Sequence, residues 1–174
     1  VFGDILGQDV RHDIVNSSAG LTKRFVNHYL LTSGKSISTV AGYAKMNFAD
    51  ETKGRDPRLA QTIQCASSKF NGTVIPYLKG VTGYQPIKFE SVAAKNSSGK
   101  GTFDFPVIRY PEVLLTYAEA LTELGSITQK DIDISLNLVR DRVGIPPLIM
   151  ETADGDPDAL MVSYYPHADR NLSH

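Results

Sequence analysis

Three carboxylates stand at alternate positions in the stretch DGDPD, at Asp154, Asp156 and Asp158, the spacing with which an oxygen-ligand loop begins to surround a hard cation such as calcium. The rest of that pattern is missing, because Ala159 stands where the turn glycine belongs and Tyr165 where a bidentate glutamate closes the loop. A solvated acidic stretch is therefore expected, and the three aspartates are held only as a fallback metal candidate. His12, His28, His167 and His174 are scattered, and none pairs with another histidine or with the lone Cys65 at ligand spacing. Cys65 lies between Gln64 and Ala66, with no neighbouring cation to favour a thiolate, so it reads as a structural thiol.

Catalytic signatures are absent too: no phosphate-binding loop, nucleophile elbow, zinc-protease helix or dinucleotide glycine fingerprint occurs. Glu112, Glu119 and Glu123 carry acid–base chemistry in principle, but hydrolysis needs two carboxyl groups placed across a substrate, and these read as charges on a helix surface. No catalytic residue and no cofactor is expected. What remains is aromatic. Tyr43, Tyr77 and Tyr84 fall in segments that read as loop, where binding residues concentrate. A sugar presents an apolar C–H face between hydroxyls, so a ring flanked by hydrogen-bonding side chains is a suitable platform. The opposing reading makes the same tyrosines loop anchors against the core, and the absence of Trp removes the largest stacking ring. The N-x-S/T triplets at Asn16, Asn71, Asn96 and Asn171 read as coincidental.

These residues must be positioned by elements, and the clearest lie between Phe105 and Pro147. Pro111 suits a first helical turn. Tyr110, Val113, Leu114, Tyr117, Ala118, Leu121 and Leu124 then recur at helical spacing, and Gly125 marks the stop. Thr128 with Asp131 resembles a capping box. The following helix is expected to turn Ile132, Leu136, Val139 and Val143 inward, to place Arg140 and Arg142 in its last turn and to end at Gly144. The short link makes residues 106–147 an antiparallel helical hairpin. Such a unit cannot bury its own apolar face and needs neighbours.

Residues 1–105 read as loop-rich with short helices and strands. Leu21 to Leu31 has helical spacing, and Asn71-Gly72 is the strongest hairpin-turn signal. In GRDPRL, Pro57 sets a helical φ, Asp56 bonds the following N–H groups and Arg55, Asp56 and Arg58 form a local ion-paired turn; that turn contributes to stability only if partly buried. Leu59 to Ile63 is open between strand and helix. Residues 148–174 read as an irregular tail.

With 174 residues, 41% hydrophobic and 21% charged, the composition is ordinary for a soluble globular chain. A net charge of −1 with mixed signs argues against nucleic acid, and no apolar run approaches the length of a membrane-spanning helix.

FPVIRYPEVLLTYAEALTELG followed by ISLNLVRDRVGIPPL closely resembles the signature of the SusD/RagB family, GRDPRLAQTI resembles its RDPRL element, and TGYQPIKF resembles the stretch before the signature. The resemblance implies a mainly α fold of tetratricopeptide-like hairpins with irregular loops and short strands, the chain being one partial SusD-like domain, an interior-to-C-terminal segment of a longer member. It also implies an outer-membrane, cell-surface lipoprotein that captures oligosaccharide or polysaccharide for a SusC-like TonB-dependent transporter without cleaving it, held to the membrane through an N-terminal lipid outside this segment. The competing expectation is a helical-repeat scaffold for protein partners, with its tyrosines structural.

Overall fold

The computed structural model describes residues 20–65, 68–70, 73–74, 81–88 and 106–165. The fold is mainly helical, as expected, and the chain divides into two compact units, Val1–Tyr29 with Ala44–Pro106, and Leu30–Tyr43 with Val107–His174.

In the first unit the helical spacing after Leu21 yields a short helix, α1 (Lys23–Asn27), started by Thr22, whose hydroxyl accepts from Phe25 N. It is shorter than the spacing suggests. Helix α2 (Phe48–Glu51) is capped by Asn47, whose side chain accepts from Asp50 N, and α3 (Pro57–Ala60) by Asp56, with Pro57 in its first turn. The ambiguity after Leu59 resolves into both readings in succession. The helix ends, and Ile63 then forms an antiparallel bridge with Pro86, flanked by Gln64 N donating to Gln85 O at 2.8 Å and Ile87 N to Thr62 O at 2.9 Å. The core gathers Val26, Leu59, Ile63, Cys65 and Tyr84, with Leu21, Tyr29 and Phe48 packed against it. Strands β1 (Lys69–Phe70) and β2 (Thr73–Val74) pair antiparallel with Phe70 opposite Thr73; the expected turn residues Asn71 and Gly72 lie outside the described residues.

In the second unit, residues 30–43 hold a tight turn at Gly34, whose φ of 81° is readily adopted only by glycine; there Leu31 N donates to Lys35 O. Ile37 opens a 3₁₀ turn (Ile37–Thr39) capped by Ser36. The hairpin follows. Helix α4 (Tyr110–Glu123) carries Pro111 in its first turn, and Gly125 leaves it at φ 62°. The Thr128–Asp131 capping box forms in both directions. The expected second helix, however, is two: α5 (Gln129–Asp133) and α6 (Leu136–Asp141). At the break Ser135 is fully buried and its hydroxyl donates to Asp131 O, a side-chain bond that competes with the helical ladder.

The expected inward face is only partly covered. Ile132 and Ala118 are buried, but Tyr110 is 68% and Leu124 76% exposed. Residues 150–164 correct the expected irregular tail, since they fold into α7 (Met150–Gly155) and α8 (Ala159–Tyr164). No helix among the described residues is long and apolar enough to cross a membrane.

Candidate functional site

The RDPR turn is more than local. Arg55 is only 5% exposed and spreads its guanidinium over three backbone carbonyls: Nη1 donates to Glu51 O at 3.0 Å, Nη2 to Val26 O at 2.9 Å and to Tyr29 O at 2.7 Å. Val26 and Glu51 sit at the C-terminal ends of α1 and α2, where carbonyls lack intrahelical partners and the macrodipole favours a cation. Burial pulls the Arg55 pKa down, opposed by the charges of Glu51 and other neighbours, and the group stays a cation because arginine starts far above neutral pH. Asp56, also buried, accepts from Arg58 N at 2.8 Å and from Arg58 Nε at 3.0 Å. That hydrogen bond raises the Arg58 pKa.

With its backbone carbonyl engaged by Arg55, Glu51 presents its carboxylate to the other side. The residue is 3% exposed, and its oxygens accept from the Tyr84 hydroxyl at 2.9 and 3.1 Å. Lys23 Nζ lies 3.5 Å from Oε1. These three residues, with Met46, Phe48, Thr82 and Gly83, line a shallow, open cleft of about 510 Å³. The Phe48 and Tyr84 ring centroids are 6.0 Å apart. The cleft therefore joins an apolar lining to a buried acceptor and a partly exposed cation, the mixture that orients a polar organic ligand.

The sequence-predicted rings fare differently. Tyr84 lines this cleft, yet it is 7% exposed and belongs to the core, with its hydroxyl engaged by Glu51. Tyr43 lies half-buried in the second unit, at the start of the 3₁₀ turn Tyr43–Lys45. Tyr77 lies outside the described residues. Asp154, Asp156 and Asp158 do not share one loop. Asp154 belongs to α7, Asp156 follows that helix, and Asp158 caps α8 by accepting from Leu160 N at 2.9 Å. Among the described residues no group of His, Cys, Asp and Glu is placed to hold a metal ion. Cys65 is buried, and desolvation pushes its thiol pKa up, consistent with an unreactive structural role. Glu112, Glu119 and Glu123 are exposed on α4.

Sequence reasoning missed Lys23 and Glu51. The available signal was the spacing of Glu51 and Arg55, four residues apart beside the RDPR turn; nothing local marks Lys23, which comes from a distant helix.

The profile of the family described as the SusD family matches residues 12–164. No curated protein and no solved structure matches the chain.

Proposed function

The chain belongs to the SusD family, and from that premise we propose that it is a cell-surface receptor of the outer membrane that captures oligosaccharide without cleaving it and passes it to a SusC-type TonB-dependent transporter. The family match carries this reading, and the cleft beside Tyr84 supports it. A buried carboxylate, an ammonium and an apolar lining suit a polyhydroxylated ligand. Tyr43 and Tyr77 are proposed as further stacking rings in the same role, with Tyr84 contributing at the cleft.

One observation favours a second reading. The α4 face bearing Tyr110, Val113, Tyr117 and Leu124 is exposed, as a helical-repeat scaffold for a protein partner requires. Calorimetry and affinity electrophoresis of the full-length protein against a polysaccharide panel separate the two. Capture predicts heat and retardation with at least one glycan, weakened by Tyr43→Ala or Tyr77→Ala, and no new reducing ends. Silence across the panel overturns capture in favour of the scaffold, and glycan turnover overturns the non-enzymatic reading.

A further inference from the structure

Resting on the glycan-capture reading, the geometry points to a narrower selection: the cleft of the first unit takes a neutral sugar through two vicinal hydroxyls, one donating to Glu51 and the other accepting from Lys23. The two side chains are placed as a pair, 3.5 Å apart, with the Lys23 side chain 42% and the Glu51 side chain 5% exposed. Adjacent hydroxyls on a sugar ring match that pair, because each hydroxyl both donates and accepts. A carboxylate offers about four acceptor positions and an ammonium three donors, so the Tyr84 hydroxyl and the Lys23–Glu51 contact leave both groups with capacity for a ligand.

The acceptor is held in place before any ligand arrives. Tyr84 bridges both Glu51 oxygens, and Arg55 holds the Glu51 carbonyl, so the carboxylate does not have to be ordered on binding, a saving in the cost of association. Met46 and Phe48 supply apolar lining beside it, against which the C–H face of a hexose packs.

Charge then excludes the modified sugars. A uronic acid drawn to Lys23 would set its carboxylate against Glu51, which already shares that ammonium and is largely removed from water, so the like charges repel. An amino sugar drawn to Glu51 would set its ammonium against Lys23, which already occupies that side. A neutral hexose meets neither penalty.

The test uses the full-length protein, with calorimetry against neutral gluco-, manno- and galacto-oligosaccharides, oligogalacturonides and chitosan oligomers. Binding is mapped by the methyl resonance of ¹³C-methyl-labelled Met46, assigned through Met46→Leu. Met150 and Met161, in the second unit, are internal references. Lys23→Met keeps the apolar stem but removes the cation beside the buried Glu51 carboxylate, so a lowered melting temperature is expected, with the Tyr84 hydroxyl still bonded to Glu51 and a cooperative unfolding transition showing that the variant folds. The expected result is a neutral glycan bound at least tenfold more tightly than its charged counterparts, a Met46 methyl that shifts on binding, a tenfold or greater loss in Lys23→Met, and recovery in Lys23→Arg. Neutral glycan binding that leaves Met46 unmoved and survives Lys23→Met overturns the cleft assignment while capture stands. A preference for oligogalacturonide or chitosan overturns the charge selection. No binding by the wild-type protein to any glycan overturns the capture reading itself.

Discussion

Arg55 shows how far one side chain reaches beyond its motif. The sequence placed Arg55, Asp56 and Arg58 in a local turn, and for Asp56 and Arg58 that is what forms, a cap and an ion pair two residues apart. Arg55 instead bonds carbonyls 26 and 29 residues back in the chain, a distance that local residue spacing cannot express. Its guanidinium is a fork of five donors, of which a lysine supplies only a point charge. Arg55→Lys therefore leaves the Glu51 and Tyr29 carbonyls short of donors, while Val26 O keeps the Tyr29 N–H, and is expected to cost about 2–4 kcal/mol, read as a lower urea midpoint with an unchanged slope. Arg58→Lys keeps the charge beside buried Asp56 and the Arg58 N–H cap but loses the two-pronged grip on its oxygens, and should cost about 1–2 kcal/mol, less than Arg55→Lys. Equal effects from the two substitutions would show that Arg55 acts only as one member of a local ion-paired turn. Tyr84 teaches the same lesson in reverse: its setting among Gly83, Gln85 and Pro86 reads as loop, yet the residue closes a core with Glu51 from 33 positions away.

At the scale of elements, the hairpin was legible wherever its signals are local. Pro111, Gly125 and the Thr128–Asp131 box each act within a few residues of where they stand, and each boundary falls where the sequence put it. Tyr117 adds a cross-hairpin bond, its hydroxyl donating to Asp131 Oδ1 at 2.7 Å, and this together with the larger contribution of Thr128 holds the Asp131 pKa low. The break at Ser135 was not legible, because apolar spacing runs straight through it. Beyond the break, polar side chains take over from apolar ones. Asn137 is buried and bonds both backbone groups of Leu148, donating to its carbonyl at 3.1 Å and accepting from its N–H at 2.7 Å. Gln129 continues the same pattern, donating to Leu148 O at 3.0 Å and accepting from Met150 N at 2.8 Å. The two residues thus hold residues 148–150 as a neighbouring strand would, and lead the chain into α7. This explains why a stretch without caps of its own is ordered, and why composition alone suggested a tail. Asn137→Ala should cost about 1–3 kcal/mol through the unpaired Leu148 N–H, since Leu148 O keeps its bond from Gln129, and native-state hydrogen exchange should accelerate at Leu148 and Met150 before it does in α4. Acceleration spread evenly over α4, α5 and α6 would mean that Asn137 supports the whole hairpin rather than this strap.

At the scale of the molecule, a hairpin that cannot cover itself was foreseen from its length, and the exposed side of α4 bears that out. Helical spacing puts Tyr110, Val113, Tyr117, Ala120 and Leu124 on one stripe and Leu114, Ala118 and Leu121 on the next. The second stripe is buried or half-buried while the first is exposed, so the broad apolar face read from the sequence is covered along only part of its width. Family resemblance gave the helical architecture, but periodicity cannot say which half of a wide apolar face meets a partner, because both halves satisfy the same spacing. Exposure decides it. Val113 is 53% and Leu124 76% exposed, so in the 174-residue chain the double substitution Val113→Lys, Leu124→Lys should change stability by no more than about 0.5 kcal/mol, while reducing binding of an apolar fluorescent dye and raising solubility. The comparison that gives this force is Ile132→Lys, on the covered side at 3% exposure, which buries a charge without a partner and should prevent folding of the second unit. If the double variant instead lost several kcal/mol, the first stripe would have to be covered in solution, and the exposed face on which the scaffold reading rests would disappear.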